Sequence, residues 1–269
     1  FGMGGYSSFP ICIAAWILGI KFVIYENNLI IGKANKYLLP FTKKIFVSYK
    51  DLEGIPNKYK SIIFEVGNIV REDIINLSVN TDKKKDSFNY LNILVLGGSQ
   101  AAKVFGNTLP PIFRNLKKSK LELKIIQQCL QNQNKELLEF YKKENIDCEI
   151  FNFTDRIIDY YLKANLVITR SGASVLGEVV NMNIPFIAIP LPTSAENHQR
   201  KNAEFFAKKG YGYALEEKDI NNKLLDLINL ILKDKTLITN ILHKQRQYSD
   251  KKVFENLIFQ LEKILNEKN

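Results

Sequence analysis

Leu166-Val167-Ile168-Thr169-Arg170-Ser171-Gly172-Ala173-Ser174-Val175-Leu176-Gly177-Glu178 decides how this chain is read. An apolar run becomes a turn of small residues and then the first turns of a helix, which predicts a buried strand feeding a ligand-binding helix terminus. Small residues let a ligand approach the backbone, and the uncompensated N–H groups of a helix start favour an anion. Glu178 falls about five residues into that helix, roughly 7.5 Å from its start at ~1.5 Å per residue. Its side chain leans back toward the turn. A carboxylate so placed can accept both hydroxyls of a ribose whose phosphates rest on Ser171–Val175, so the segment predicts a nucleotide, and beyond it a nucleotide sugar.

Strands and helices alternate on both sides of this stretch. Asn92–Leu96, Leu123–Gln127, Cys148–Phe151 and Phe186–Ile189 read as apolar strands, with helices opening at Ala101 and spanning Gln133–Glu144, Ile157–Leu162, Val175–Met182 and Gln199–Lys208. Strands that are apolar throughout predict an α/β fold whose doubly wound parallel sheet is covered on both faces. A smaller block precedes it, with a helix at Ile11–Leu18, strands at Lys21–Tyr25, Lys44–Ser48 and Ile62–Val66, and helical character at Ala34–Leu39. Asn80–Ser87 is polar and aperiodic, as a linker or surface excursion would be. The expected division is 1–72, 73–250 and 251–269. In the last piece, Val253, Phe254, Leu257, Ile258, Leu261, Ile264 and Leu265 share a helical face that should dock on the first block.

The 269 residues are 46% hydrophobic and carry a formal charge of +10, enough for a core and an attraction to anionic ligands or surfaces. Basic residues are scattered rather than clustered with aromatics, which argues against nucleic acid. Cys12, Cys129 and Cys148 have neither metal-like nor paired spacing, and fit a reducing compartment. No apolar run reaches the ~18 residues of a membrane span. The chain opens at Phe1 directly on the turn Gly2-Met3-Gly4-Gly5, without the strand that normally aims such a turn, and is expected to be a fragment.

Four further segments carry chemistry. Gly97-Gly98-Ser99-Gln100 lies between a strand and a helix, where Ser99 would face the crevice at the strand ends. The glycines alone would also serve packing. After the next strand, Gln199 and Asn202 stand three apart on one helical face, either to grip sugar hydroxyls or to cap and solvate the helix; His198 reads as a solvated helix-start histidine. Glu26, Asn27 and Asn28 follow a strand end, with Glu26 either functional or capping backbone N–H groups. Arg71 would meet ligand oxygens or form an ion pair between blocks.

Together these segments resemble the MurG family, the UDP-N-acetylglucosamine transferases of peptidoglycan synthesis. The matching stretches are Gly2–Tyr6, Tyr25–Asn28, Gly67-Asn68 with Arg71, Leu96–Gln100, Arg170–Glu178, and His198-Gln199 with Asn202-Ala203, in the family's order over nearly the whole chain. The resemblance implies a GT-B architecture: two Rossmann-like domains facing a cleft, the first (1–72, acceptor and membrane side) incomplete and the second binding the UDP-sugar. It implies transfer of N-acetylglucosamine to the 4-hydroxyl of lipid I with inversion, without metal or cofactor. By that resemblance Glu178 holds the ribose, the backbone of Gly172, Ala173, Ser174 and Val175 with Ser171 the diphosphate, and Phe153 and Thr154 border the uracil. Ser99 and Arg71 support the phosphates, Gln199, Asn28 and Asn202 the sugar, and Glu26 is a candidate base. The remaining partners implied are lipid I, an anionic membrane surface touched near Trp16, and cell-wall synthesis proteins. The implied location is peripheral, on the cytoplasmic side of the bacterial inner membrane, serving cell shape and division.

The chain departs from the family pattern in lacking the first glycine-rich turn with its histidine. Ala101 replaces a glycine, Gly177 stands where a polar residue is usual, and Gln127–Leu130 replaces a glycine-richer loop. Two other readings fit the residues: a GT-B enzyme with a different lipid acceptor, and a non-catalytic nucleotide-sugar or membrane-surface module.

Overall fold

The computed structural model describes residues 1–77, 90–98, 103–118 and 122–266. The predicted linker at 80–87, Ser99 and Ala101 lie outside them. Two parallel sheets organise the chain. The first holds β1 (Ile24–Glu26), β2 (Ile45–Val47) and β3 (Ile63–Glu65) in the order 1-2-3. The second holds β4 (Tyr90–Leu96), β5 (Glu122–Gln128), β6 (Asp147–Phe151), β7 (Leu166–Thr169), β8 (Phe186–Ala188) and β9 (Tyr213–Ala214), ordered 6-5-4-7-8-9. Order reverses between β4 and β7, which opens a crevice beyond their carboxyl ends.

The apolar runs are continuous because both faces of this sheet are buried. Along β4, Leu91, Ile93 and Val95 enter one core, while Leu94 and Leu96 enter the other. Each such side chain contributes roughly 1.5–3 kcal/mol by leaving water. Helices cover both faces: α4 (Lys103–Lys117), α5 (Asn134–Lys143), α6 (Ile157–Lys163), α7 (Ala173–Asn181) and α8 (His198–Lys208). α4 continues through Pro110 and Pro111 because Phe105, Leu109, Ile112, Phe113 and Leu116 keep a buried stripe that outweighs the lost backbone bonds. Between Lys209 and Asp250, where the sequence reading places no element, lie β9, α9 (Ile220–Lys233) and α10 (Lys235–Arg246).

In the first block α1 (Gly5–Ile17) starts six residues before the predicted Ile11, with Gly4 and Gly5 at positive φ. α2 (Lys33–Leu38) and α3 (Glu72–Leu77) follow the first and last of its strands. α11 (Val253–Asn266) inserts Val253, Leu257 and Ile264 among Val23, Tyr25, Phe46 and Val66. The predicted apolar face is too broad, since Phe254, Ile258 and Leu265 point to solvent. Trp16, 51% exposed, packs on Phe41 at 4.6 Å between ring centres.

At the joint between the blocks Asp250 accepts from the Asn68 N–H (2.8 Å), Tyr248 Oη (2.9 Å) and Asn181 Nδ2 (2.7 Å). Burial outweighs these donors and raises its carboxyl above the usual range.

Candidate functional site

Three strand ends of the second sheet release short loops into one crevice of about 940 Å3, lined by Gly98, Arg170, Gly172, Val175, Thr193 and Gln199 among others. Gly98 follows β4 at φ +79, a conformation that glycine adopts without strain. Gly172 precedes α7 with extended backbone and no side-chain cap, and a Cβ at that position would meet nothing within 4 Å. The start of α7 therefore borders open space, as an anion site requires. Gln199 Oε1 accepts from the Leu191 N–H at 3.0 Å, which leaves its amide hydrogens available.

Arg170 shapes the floor, although the sequence reading gives it no role. Its guanidinium is buried, donates to the carbonyls of Ile189 (3.3 Å) and Pro190 (3.2 Å), pairs with Glu217 and lies 4.6 Å from the centre of the Phe105 ring. A charged residue placed directly after a four-residue apolar strand is the signal that could have found it.

Glu178 lies one and a half turns into α7. Tyr161 Oη donates to Oε2 at 2.8 Å, and Arg71 Nε stands 3.7 Å from Oε1. Desolvation raises the Glu178 carboxyl above its ordinary range despite both partners, and burial raises the Tyr161 phenol well above its own. Tyr161 is a second residue that the motif reading missed. Arg71 joins the blocks here as the predicted ion pair.

The remaining predicted residues form a seam between the blocks. Asn202 is fully enclosed: Oδ1 accepts from the Leu29 N–H (3.1 Å), and Nδ2 donates to Asn28 Oδ1 (3.1 Å) and the Ser171 carbonyl (3.0 Å). Each amide hydrogen of Asn202 already has a partner, and the residue acts as a strut between the blocks. Asn27 Nδ2 donates to Ser174 Oγ at 2.9 Å, and Asn68 Nδ2 to the Ala173 carbonyl at 3.2 Å. Ser171 Oγ is buried without a hydrogen-bond partner.

Glu26 is held as fully. Oε1 accepts from the N–H (3.1 Å) and Nδ2 (3.0 Å) of Asn28, and Oε2 from the Gly32 N–H (2.9 Å) and Asn35 Nδ2 (2.9 Å). A carboxylate has about four lone-pair sites, and all are occupied. Glu26 therefore shapes the 27–32 loop and fixes Asn28. Asn28 retains one free amide hydrogen. Thr154 Oγ1 accepts from the Arg156 N–H at 3.0 Å, and the neighbouring Phe153 is 85% exposed past the end of β6.

Comparison with known proteins accords with this geometry. The glycosyltransferase family 28 C-terminal domain matches residues 92–264, and the family 28 N-terminal domain matches residues 1–47. A UDP-N-acetylglucosamine–N-acetylmuramyl-(pentapeptide) pyrophosphoryl-undecaprenol N-acetylglucosamine transferase of Pelagibacter ubique is 36% identical over 267 residues, covering 98% of this chain and 73% of that protein. The transferase of the same name from Rickettsia felis is 38% identical over 259 residues, covering 91% and 71%. Among solved structures, Acinetobacter baumannii MurG superposes with a TM-score of 0.76 at 26% identity, over 97% of this chain and 73% of that one.

Proposed function

The chain belongs to glycosyltransferase family 28, among the transferases just described, and on that premise we propose that it moves N-acetylglucosamine from UDP to the 4-hydroxyl of lipid I, with inversion at the anomeric carbon. One observation carries this reading: the uncapped start of α7 lines the strand-end crevice, and the same helix carries a carboxylate, only 13% exposed, one and a half turns later. The α7 N–H groups would receive the diphosphate and the charge that develops on departing UDP. Glu178 would accept the ribose hydroxyls, held in place by Tyr161. Gln199 and the free hydrogen of Asn28 would hold the sugar, Arg71 the phosphate edge, and the backbone near Phe153 and Thr154 the uracil. We divide the chain at 1–72, 73–250 and 251–269; the separate sheets and the core that α11 shares with β1 and β2 support this division.

The acceptor is a lipid, and α1 carries the surface that would meet it. Tyr6, Ile11, Ile17 and Leu18 are largely exposed on and just beyond this helix, beside the half-exposed Trp16. Among the described residues no helix is long and apolar enough to cross a membrane. An exposed apolar helix on a chain of charge +10 suits peripheral attachment to an anionic cytoplasmic leaflet, where the enzyme would join other cell-wall synthesis proteins and serve cell shape and division.

Calorimetry tests the donor site. The chain should bind UDP-N-acetylglucosamine and Glu178→Ala should abolish detectable binding, whereas equal affinity before and after the change would overturn the assignment.

A further inference from the structure

The first turn of α8 stands between two cavities. Gln199 lines the donor crevice, while its neighbour His198 lines a separate pocket of about 260 Å3 between the blocks, together with Gly4, Gly5, Glu26, Asn28 and Asn35. Two consecutive residues thus reach the two sides of the junction where a donor sugar and an acceptor would meet. The floor of the smaller pocket holds an unanswered acceptor: Asn35 is almost fully buried, and its Oδ1 has no hydrogen-bond partner. A ligand bringing a hydroxyl or amide hydrogen would satisfy it.

The tautomer of His198 follows from its contact. Nδ1 lies 2.6 Å from the carbonyl oxygen of Ala195, which can only accept, so Nδ1 carries the proton. In the neutral ring Nε2 then keeps its lone pair. The titratable side chains lining the pocket are Tyr6, Glu26, Lys33, Glu196 and His198. Glu26 has every lone-pair site occupied, and Lys33 pairs with Glu196 at 3.5 Å. Neutral His198 is the group in this set with a vacant basic nitrogen.

Resting on the transfer reading above, we propose that His198 is the general base that takes the proton from the acceptor sugar hydroxyl. The hydroxyl O–H bond breaks as its proton passes to Nε2, and the oxygen electron pair forms the new bond to C1 of N-acetylglucosamine. The bond from C1 to the β-phosphate oxygen breaks, and its electron pair leaves with UDP. The imidazolium then releases its proton to water. Asn35 Oδ1 receives a second hydrogen of the acceptor and fixes its orientation.

The chain has only two histidines, so nitrogen NMR of the imidazoles in the full chain reads this site directly. The signal missing in His198→Gln should show the Nδ1–H tautomer, and a short-chain lipid I analogue should shift its Nε2 resonance. Transfer from UDP-N-acetylglucosamine to that analogue should fall about 10²–10⁴-fold in kcat for His198→Gln. The acidic limb of the kcat profile should vanish, while KM and calorimetric affinity for the donor stay unchanged. An Nε2–H tautomer, an Nε2 signal indifferent to the analogue, or a variant with an unchanged rate and pH profile would each overturn the proposal. Loss of donor binding by the unaltered chain would instead refute the transfer reading.

Discussion

Gly177→Ala is the change for which local propensity and tertiary packing give opposite signs. A glycine inside α7 weakens the helix by ~1 kcal/mol relative to alanine, so helix propensity alone predicts stabilisation. The structure predicts the reverse, because a Cβ on Gly177 would overlap Asn68 Nδ2 and stand 2.8 Å from Asn68 Cγ. Asn68 is fully buried, and its Nδ2 donates to the Ala173 carbonyl (3.2 Å) and Tyr49 Oη (3.4 Å). Displacing it leaves a buried amide unpaired, about 1–3 kcal/mol, and adds overpacking of about 1–3 kcal/mol. Set against the propensity gain, the net loss is about 1–5 kcal/mol. Guanidinium denaturation followed by circular dichroism should show the midpoint falling by about 0.2–1 M for an m-value of ~5 kcal/mol/M. In an Asn68→Ala background the obstacle is gone, and the same substitution should stabilise by up to ~1 kcal/mol. A Gly177→Ala protein at least as stable as the parent, or an equal effect in both backgrounds, would refute the reasoning.

Asn202→Ala should destabilise by about 3 kcal/mol, from three buried hydrogen bonds worth ~1 kcal/mol each, and equilibrium denaturation measures it. Glu178 and Asp250 both titrate above the usual carboxylate range, so from about pH 4 up to their raised values the folded state binds more protons than the unfolded chain. Their contribution therefore grows as pH falls and is lost as pH rises through those values. The denaturation midpoint of Glu178→Gln should drop less than the parent's as the pH is raised from about 4 to neutrality. Replacing Ile17 and Leu18 by serine should weaken binding to phosphatidylglycerol-containing vesicles about tenfold or more in a sedimentation assay, with donor affinity unchanged.

The second sheet was legible because its strands are apolar on both faces and small residues follow them, a pattern set by local chemistry. The α9 stripe of Ile220, Leu224, Ile228 and Ile231 was equally regular and could have been read from spacing alone. The partners of the polar residues were not legible. Asn28, Asn202 and Ser171 are brought together by the meeting of two blocks, and no local pattern says whether an amide faces a sugar or another amide. Glu26 shows the same limit: its four donors come from Asn28, Gly32 and Asn35, and only the loop geometry aims them at one carboxylate. Arg170 was obscured because its partner Glu217 is 47 residues away.

The seating of α11 on the first sheet sets an order on the making of the protein. Asn256 Nδ2 donates to the carbonyl of Val66 across 190 residues, and Val253, Leu257 and Ile264 complete the core around Tyr25 and Phe46. A ribosome adding ~5–20 residues per second needs roughly 10–40 s to cover that interval. Throughout that time β1–β3 wait with an open apolar face while the second sheet, all of whose strands lie in between, is already able to close. The block that precedes the second sheet is thus sealed after it, and a nascent-chain chaperone would find a long opportunity there.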